Sequence, residues 1–416
     1  MTITQDIIDY TGFVLSTHSF ITFSDNDSIV KYDPVKGYYV SGRPDIIKIS
    51  VLNPLTSNPN GLNILLQNIR GRTYSDRKTF HDHEGLINFQ NGVYDLQDEK
   101  LYLHDKKYHF LNRIEIPFIE GAKCPVWEKS MNYALPNKED YFQLKKWFGY
   151  HLIEGQPYEK AMFITGVPSS GKSTALAVLD MLLDSNSCHH PLSDFANKST
   201  YASADLYMKL ANTYADMGQQ LISDVGVFKT LTGSLDTITA RFPYEKPFSF
   251  VNPAKLTFAC NKLPPLSHSV QSDNAFWKRV LLLEFHNKVL EVDKEIYSKL
   301  RNELSGILNW MIDGYYMLQE EGFADNENAF DTWTNSAYAQ NPIDDFLETI
   351  IKDTNCFCPI KDFQSMYEKH CLKTMRTPLT HKDVKIALVG KGIFQKKKWD
   401  EAKGAYQEVY SGVSLY

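Results

Sequence analysis

The sequence lacks the features of a membrane-spanning or secreted protein. No apolar run approaches the roughly 18 residues that a transmembrane helix needs. The first residues, MTITQDIIDY, include an acid where a signal peptide needs basic residues. Only six cysteines occur and they are widely scattered, which favours free thiols in a reducing compartment. These absences predict a cytoplasmic protein with no membrane partner.

An excess of positive charge is also missing. The formal net charge is −6, which argues against a surface coated with basic residues for nucleic acid but allows a local basic track. No internal repeat or low-complexity tract occurs. With 416 residues, 43% hydrophobic and 23% charged, the chain has an ordinary globular composition and a length typical of about two to four domains.

The pattern of apolar residues predicts four regions. Residues 1–84 give only weak strand signals, and no role is predicted for them. Residues 85–155 combine a hairpin signal, INFQNGVYDL, with helical spacing that breaks at Pro136. Residues 158–286 hold short apolar strands alternating with helical patterns, which predicts an α/β domain, and we place its limits at 156–335. Residues 343–416 are predicted to form a small separate domain.

Two segments lie between the α/β pattern and the C-terminal region. Residues 301–323, RNELSGILNWMIDGYYMLQEEGF, have the spacing of an amphipathic helix. Residues 323–342 are polar, and we interpret them as a connector.

The segment GVPSSGKS, residues 166–173, matches the phosphate-binding loop G-x-x-x-x-G-K-S/T in full. Glycines let the backbone fold around phosphate groups, so that N–H groups point inward and the following helix adds its positive end. Lys172 is suited to reach the β- and γ-phosphates, and Ser173 to ligate Mg²⁺. KAMFIT before the loop is a strand candidate, and TALAVLDMLL after it is helical. The sequence therefore predicts binding of a nucleoside triphosphate. The predicted contacts are Gly166, Val167, Pro168, Ser169, Ser170, Gly171, Lys172, Ser173 and Thr174.

Polar residues also end two later strand candidates. Asp216 follows a part-apolar strand, where a carboxylate that orders Mg²⁺ belongs. Asn261 ends the strand AKLTFACN, where its amide could orient an attacking water. Taken singly, each has a plain alternative: Asp216 as a solvated loop acid, and Asn261 as an ordinary strand-end amide.

A hairpin is predicted between Asp216 and Asn261. Its strands are TITARFPY and PFSFVNPAKL, and it turns at Glu245-Lys246. Farther along the chain, Arg279 leads into the apolar strand VLLLEF.

The order of these motifs resembles that of superfamily 3 helicases of the phage, plasmid and poxvirus primase-helicase type. The motifs are the phosphate loop, Asp216, LTG…D.ITAR with its hairpin, Asn261 and FWKRVLLLEF. The resemblance covers residues 85–325, since INFQNGVYDL and CPVW…WFGYHLIEG are similar to the domain that precedes the motor in that group. It implies an α/β fold with an AAA+ P-loop ATPase core and a preceding, mostly helical collar domain.

The resemblance also implies a function. The chain would be an ATP-dependent DNA helicase of a virus or mobile genetic element, with ATP and Mg²⁺ as cofactors, in the cytoplasm of the host cell. Such proteins form a homo-oligomeric ring, usually a hexamer, that translocates on single-stranded DNA and unwinds forked duplex during replication.

Carried over residue by residue, Lys172 and Ser173 hold the triphosphate and Mg²⁺, Asp216 is the acidic strand-end position and Asn261 the sensor asparagine. Arg279 matches the arginine finger, which acts on the nucleotide of the neighbouring subunit. A guanidinium supplied in this way stabilises the negative charge that spreads during phosphoryl transfer.

The resemblance also points to DNA contacts within the ring. Lys246 falls at the tip of the hairpin, which in this family points into the channel and grips one DNA strand, and Arg241 belongs to the same hairpin. One lysine from each subunit would form a basic track despite the negative net charge.

One departure from the family concerns the general base. Many such ATPases carry two adjacent acids, but Asp216 is flanked by Ala215 and Met217. Either Asp216 serves both roles through water, or another acid such as Asp224 contributes.

The C-terminal region has its own signature. IDDFLETII, KDFQSMYEKHCLK and THKDVKIALVGKG predict three short helices, and a hairpin follows, which together describe a winged helix. Residues 381–406 hold seven lysines against three acids. Lys382 and Lys385 would lie on the recognition helix, and Lys396, Lys397 and Lys398 on the wing, suited to phosphate contacts. The alternative is a solvated hairpin that contacts only protein.

Two hypotheses for function remain. Residues 1–80 are too short for a catalytic primase domain, so we expect a helicase-only polypeptide or a fragment of a longer one, with a separate primase or initiator as a candidate partner. The favoured hypothesis is a replicative helicase acting on single-stranded and forked DNA. The other is a ring ATPase that loads or remodels a replication complex without unwinding.

Overall fold

The computed structural model of this chain describes residues 3–80, 85–196, 200–218, 220–243, 247–291, 293–324, 329–338, 342–350, 356–373, 378–401 and 404–414. These residues form an N-terminal α/β unit, a three-stranded antiparallel sheet with two helices, a central parallel sheet with its helices, and a small C-terminal α/β unit. None of the helices in these stretches is long and apolar enough to cross a membrane.

The N-terminal unit pairs a four-stranded sheet with helices. Its elements are α1 (Ile3–Thr17), β1 (Phe20–Phe23), β2 (Ile29–Asp33), β3 (Tyr38–Ser41), α2 (Arg43–Val51), α3 (Pro59–Thr73) and β4 (Tyr74–Ser75). The strand order is β3-β2-β1-β4, with β4 parallel to β1. Fully buried Ile7 and Ile69 join α1 and α3 in one core. The strands match the weak signals in the sequence, whereas α1 and α3 were not predicted, because β-branched and polar residues lower the helical propensity of both segments.

The next unit confirms the predicted hairpin and helices. It consists of β5 (Leu86–Phe89), β6 (Gly92–Asp95), β7 (Lys100–Tyr102), α4 (Pro125–Ala134) and α5 (Lys138–Tyr150). The helical break at Pro136 separates α4 from α5. Asn137 then starts α5, since its side chain accepts a hydrogen bond from the Glu139 amide at 3.0 Å.

The central unit alternates strands and helices as predicted. Its first part comprises β8 (Ala161–Gly166), α6 (Lys172–Leu183), β9 (Ser187–Cys188), α7 (Leu192–Ala196), α8 (Thr200–Asp205), β10 (Ala211–Tyr214) and α9 (Gly226–Thr232). Its second part comprises β11 (Thr237–Ala240), β12 (Phe248–Val251), β13 (Lys255–Ala259), α10 (His268–Gln271), α11 (Asn274–Arg279), β14 (Val280–Phe285), α12 (Ile296–Asn302) and α13 (Leu304–Glu321).

Five of these strands form one parallel sheet in the order β14-β8-β13-β10-β9. All six residues of β8 are buried, as expected for a parallel strand that helices cover on both sides. Met162 and Ile164 face a core formed with α4, α5, α6 and α13, whereas Phe163 faces the opposite core with α9 and α11.

The helix α13 crosses α5 at close range. A Cβ on Gly149 would lie 2.2 Å from the Tyr315 amide nitrogen, and one on Gly314 would lie 2.1 Å from the Lys145 carbonyl. The two glycines therefore set how closely the two helices approach each other.

The interpretation of residues 323–342 as a polar connector was wrong for part of that segment. A helix, α14 (Ala329–Tyr338), occupies its middle, and Trp333 is fully buried in the core beside Phe163, with ring centroids 4.8 Å apart. The indole donates a hydrogen bond of 2.9 Å to the Pro264 carbonyl. One large aromatic side chain thus anchors a polar segment, which average composition does not reveal.

The C-terminal unit contains the predicted helices and hairpin and one strand that was not predicted. Its elements are α15 (Pro342–Glu348), β15 (Phe357–Pro359), α16 (Ile360–Lys373), α17 (His381–Val389), β16 (Phe394–Asp400) and β17 (Ala405–Ser411). The strands form an antiparallel sheet in the order β15-β17-β16. Phe346, Phe363 and Tyr410 are buried between this sheet and the helices.

Candidate nucleotide-binding site

The predicted phosphate loop lies between the carboxyl end of β8 and the first turn of α6. Its backbone needs glycine at both ends. Gly166 has φ 140°, and a Cβ there would lie 2.2 Å from the Phe285 carbonyl oxygen, while Gly171 has φ 96°. Ser169 also has a positive φ, 63°. This curled backbone places the loop at the N-terminus of α6, where unpaired N–H groups and the helix dipole favour an anion.

The ammonium of Lys172 lies over its own loop. Nζ donates hydrogen bonds of 2.8 Å to the carbonyls of Gly166 and Val167, and it lies 3.4 Å from the Ser170 hydroxyl. Burial lowers the pKa of this amine from its ordinary value. A partly desolvated cation held at the loop is suited to attract phosphate oxygens, which would replace the loop carbonyls as partners.

The other loop residues divide into exposed and buried ones. Val167, Pro168, Ser169 and Ser173 are exposed, Gly171 and Thr174 are half-buried, and Gly166 and Ser170 are buried. The segment after β14 braces the loop, because the Val289 amide donates to the Ser169 carbonyl at 2.8 Å.

Asp216 and Asn261 lie at the same edge of the sheet as the loop. Each follows its strand by two residues, β10 for Asp216 and β13 for Asn261, and both side chains are exposed. Since β13 lies between β8 and β10 and all three are parallel, their carboxyl ends meet at one edge. Two backbone hydrogen bonds of 2.9 Å extend the pairing there, from Met217 to Ala259 and from Cys260 to Ile164.

A buried thiol lies within the field of both charged groups. Burial raises the pKa of Cys260 to about 11, while the positive charge of Lys172 opposes the rise and the negative charge of Asp216 adds to it. The fold thus brings Lys172, Asp216 and Asn261 together, as the sequence predicted from separate motifs.

The alternative acid, Asp224, has a different role in the structure. Its carboxylate accepts a hydrogen bond of 2.8 Å from the Gly226 amide at the start of α9, and its side chain is exposed. Its chain segment runs beside the one that follows β13, with Ile222 opposite Leu266. Asp224 is thus engaged as a helix-start acceptor, whereas Asp216 stands at the strand end.

Arg279 lies at the opposite edge of the sheet. It precedes β14, whose Val280 pairs with Ala161 at the start of β8, whereas Phe285 pairs with Gly166 at the loop. Five residues of strand separate the two levels, about 17 Å. The guanidinium donates to Glu159 at 2.9 Å and to the Ala275 carbonyl at 3.1 Å.

Glu159 was not predicted, although a signal for it existed. Its carboxylate also accepts hydrogen bonds from the Ser234 hydroxyl at 3.0 Å and the Ser234 amide at 3.2 Å. Glu159 therefore joins Arg279 to the segment that leads into β11. The signal is the apolar pattern of β8 and β14, which was clear in the sequence. If the two strands are paired in parallel, the residues that precede them, Glu159 and Arg279, come to lie near each other.

The predicted hairpin is present as the antiparallel pair β11 and β12. Ile238 and Phe250 are buried on one face, while Thr239 and Ser249 are exposed on the other. Arg241, which follows β11, is exposed and donates to the Tyr201 hydroxyl at 3.3 Å. Lys246 lies outside the residues that the structure describes.

A second unpredicted residue, Arg77, joins the N-terminal unit to the hairpin. Its guanidinium makes two hydrogen bonds to Asp25, of 2.7 and 2.8 Å, and donates to the Tyr207 hydroxyl. It lies 4.0 Å from the ring centroid of Phe23 and 5.4 Å from that of Phe248 in β12. No local motif marks such a residue, because its partners are distant in sequence.

The predicted C-terminal lysines are all exposed. Lys382 and Lys385 lie on α17, and Lys396, Lys397 and Lys398 on β16. Alternation along β16 places Lys397 on one face of the sheet and Lys396 and Lys398 on the other. The Lys398 ammonium lies 4.0 Å from the ring centroid of Phe357.

Comparison with protein families gives two matches. Residues 58–136 match the family described as D5 N terminal like, and residues 164–279 match DUF5906, a family of unknown function. The second match begins within β8 and ends at Arg279, so it includes the phosphate loop and both strand-end residues.

Individual proteins give more distant likenesses. A protein of Acanthamoeba polyphaga mimivirus, named "Putative helicase", is 25% identical over 248 residues, which cover 54% of this chain. The matched region is 24% of the length of that relative. Two apo structures of the NrS-1 C-terminal region align over 97% of this chain and 98% of theirs, with TM-scores of 0.53 and 0.50 and identities of 8% and 10%.

At identities of 8% and 10%, the structural alignment shows a shared fold only. The evidence for homology comes from the two family matches and the mimivirus protein. The resemblance that the motifs indicated is thereby confirmed at the level of domains: residues 58–136 match the D5 N terminal like family, residues 164–279 match DUF5906, and the chain is distantly related to the mimivirus protein named a helicase.

Proposed function

We propose that this chain is the motor part of an ATP-dependent DNA helicase of a virus or mobile genetic element. The observation that carries the proposal is the shared edge of the central sheet. There the phosphate loop, Asp216 and Asn261 come together, with the β11–β12 hairpin inserted in the chain between the two strand ends. The mimivirus relative, which is named a helicase, supports the same function.

The loop fits a nucleoside triphosphate with Mg²⁺. The positive φ values of Gly166, Ser169 and Gly171 curl the backbone, and Phe285 leaves no room for a side chain at position 166. Lys172 would bind the β- and γ-phosphates, and Ser173 and Asp216 would hold Mg²⁺, the aspartate through water. Bound Mg²⁺ would neutralise charge on the phosphates. Asn261 would orient the attacking water.

Arg279 would act in the site of a neighbouring subunit. Its place at the edge opposite the loop keeps it out of its own chain's site, and only 16% of its side chain is exposed in the pair with Glu159. A ring, by the family pattern a hexamer, would present this edge to the loop of the next protomer. Release from Glu159 would let the guanidinium reach the nucleotide.

The hairpin and the C-terminal unit would contact DNA in different ways. Lys246 and Arg241 would bind the backbone of one strand inside the ring, and the anchoring of β12 through Phe248 and Arg77 supports a fixed hairpin base. The C-terminal order of helix, strand, two helices and two strands supports a winged helix, in which the exposed lysines of α17 and β16 would bind duplex phosphates.

This division also sets the domain limits that we propose. They are an N-terminal region over 1–84, a collar over 85–155, a motor over 156–335 and a winged helix over 343–416. A separate primase or initiator would act with the ring.

Strand displacement on a forked duplex tests the proposal. The wild-type protein should release the labelled strand with ATP and Mg²⁺, and the Lys172→Ala variant should not. Hydrolysis of ATP without displacement on any fork would favour a ring ATPase that loads or remodels a replication complex.

A further inference from the structure

An exposed pair of aromatic rings lies at the end of the C-terminal hairpin. Trp399 on β16 and Tyr406 on β17 are directly opposite each other, with ring centroids 5.1 Å apart and planes at 73°. Trp399 is 50% exposed and Tyr406 70% exposed. Large apolar surfaces of this kind are unfavourable in water unless a partner covers them.

The pair does not belong to the core of its own unit. It lies on the sheet face that carries Tyr410, which is buried and packs on Phe363 at 5.0 Å. Burial ends there, because the next pair on this face, Lys397 and Glu408, is exposed. The rings therefore extend past the helices that cover the rest of the face.

The charge around the rings indicates what would cover them. Lys397 is adjacent to the pair on the same face, where Glu408 lies opposite it, and Lys396 and Lys398 lie on the reverse face of β16. Two acids also follow Trp399, but seven lysines outnumber three acids over residues 381–406. Lysines beside exposed aromatic rings suit a ligand with both a phosphate backbone and flat apolar faces. Unpaired nucleotides have this chemistry, whereas bases inside a duplex keep their faces stacked.

We propose that Trp399 and Tyr406 form a stacking site for the bases of single-stranded DNA, with Lys397 on the backbone beside it. The inference rests on the proposed DNA binding by the C-terminal unit and gives that surface a specific ligand, an unpaired base. The face of the hairpin that carries the two aromatic rings would then hold the single-stranded arm of a fork, while α17 and the reverse face of β16, with Lys396 and Lys398, contact the adjoining duplex. A cross-strand aromatic pair that only stabilises the hairpin is the alternative.

Tryptophan emission from the full chain provides a local test. Trp399 is the most exposed of the six tryptophans, since Trp127, Trp147, Trp310 and Trp333 are buried and Trp277 is half-buried. A short oligothymidylate should quench the emission of Trp399 and reduce the further quenching of that residue by added iodide. The Trp399→Phe variant should lose this signal while it keeps the affinity, because a phenyl ring still stacks.

The contribution of the bases to affinity is the difference between binding of the oligothymidylate and binding of an abasic oligonucleotide of equal length. Fluorescence anisotropy of the labelled oligonucleotides measures both affinities. Trp399→Ala and Tyr406→Ala should each weaken binding of the oligothymidylate about tenfold and leave binding of the abasic strand unchanged. Lys397→Ala should weaken both. Phe13→Ala, which removes an exposed aromatic ring in α1, is the matched control and should change neither.

Binding of oligothymidylate with no change in Trp399 emission would overturn the stacking site, as would equal losses for thymidylate and abasic strands. Equal quenching by a blunt duplex would overturn the preference for unpaired bases. These results leave strand displacement and ATP hydrolysis as independent readouts, so failure of the stacking site and failure of the proposed helicase function are distinguishable. Absence of binding to any DNA would contradict both.

Discussion

Arg279 and Glu159 form an ion pair, with Nη2 2.9 Å from Oε2, at the amino edge of the central sheet, whereas Lys172 lies at the carboxyl edge. The pair is partly exposed, with 40% of the Glu159 side chain accessible, and such pairs contribute at most about 1 kcal/mol. A contact of that strength can be exchanged for a phosphate in a neighbouring subunit. The separation of the two edges is therefore the observation on which the proposed shared site rests.

Mixed rings test the shared site. Arg279→Ala and Lys172→Ala subunits should each be inactive alone, because one lacks the finger and the other the phosphate-binding lysine. Mixed at equal amounts, about a quarter of the interfaces would pair an intact loop with an intact finger, so hydrolysis of ATP should partly return. No recovery at any ratio, in rings shown to contain both variants, would assign Arg279 a role within its own subunit.

Removal of the lysine from the loop should abolish catalysis without unfolding the chain. In Lys172→Ala, turnover of ATP should fall at least about 100-fold, since a charge that faces the transferred phosphate is lost. The melting temperature should change little, because Nζ bonds only to its own loop. Steady-state hydrolysis and thermal unfolding measure the two effects. The exposed Lys36→Ala serves as control, and near-normal turnover by folded Lys172→Ala would refute the site.

Lys255 predicts a specific dependence of stability on pH. Its amine is fully buried, donates to the carbonyls of Ile153 and Pro253, and lies 4.7 Å from the Tyr150 ring centroid. Burial lowers its pKa from 10.5 to about 7. Between these two values the unfolded chain binds more protons than the folded chain, so this group makes stability rise with pH. Below about pH 7 both states carry the proton, and the full cost of the buried charge remains.

The Lys255→Met variant isolates this contribution. The free energy of unfolding of the wild type minus that of the variant should increase from pH 7 to pH 10, as measured by urea denaturation at each pH. Lys100→Met, at an exposed lysine of β7, is the control. A difference that stays constant across this range would show that Lys255 keeps its proton in the folded state.

The C-terminal lysines should control the salt dependence of duplex binding. Replacing Lys396, Lys397 and Lys398 with alanine should weaken binding and make the plot of log affinity against log salt shallower by about 2 to 3, since up to three phosphate contacts are lost. Anisotropy with a short duplex at several salt concentrations measures the slope.

A matched triple variant controls for the change in net charge. Alanine at Lys36, Lys78 and Lys100 removes the same charge from exposed sites in the N-terminal half. If the slope of log affinity against log salt changes equally in both triple variants, the effect comes from net charge alone. That result would favour a hairpin that contacts only protein.

The sequence was most informative where function constrains a local pattern. The loop at 166–173 combines glycine, lysine and serine at fixed spacing, and the apolar strands before Asp216 and Asn261 and after Arg279 could be recognised by their composition. Parallel strands bring their carboxyl ends together, so the site at one edge followed from the order of motifs.

The remainder depended on contacts between distant segments. Trp333 turns a polar stretch into a packed helix, and Arg77 joins the N-terminal unit to Tyr207, 130 residues away. The ion pair of Glu159 with Arg279 spans 120 residues and becomes visible only once β8 and β14 are paired. Composition and periodicity describe local propensity, and they do not determine which distant side chain buries a given group.

We propose that the grip of the hairpin between Asp216 and Asn261 on one DNA strand drives strand separation. Displacement of a labelled strand from a forked duplex by the Lys246→Ala variant tests this most directly. Because one lysine per subunit would grip the backbone, this variant should lose unwinding and DNA-stimulated hydrolysis while its basal ATP hydrolysis stays close to that of the wild type and of Lys36→Ala. Unwinding by Lys246→Ala at the wild-type rate would contradict the account, since the hairpin would then be a structural element and the ring a loader or remodeller.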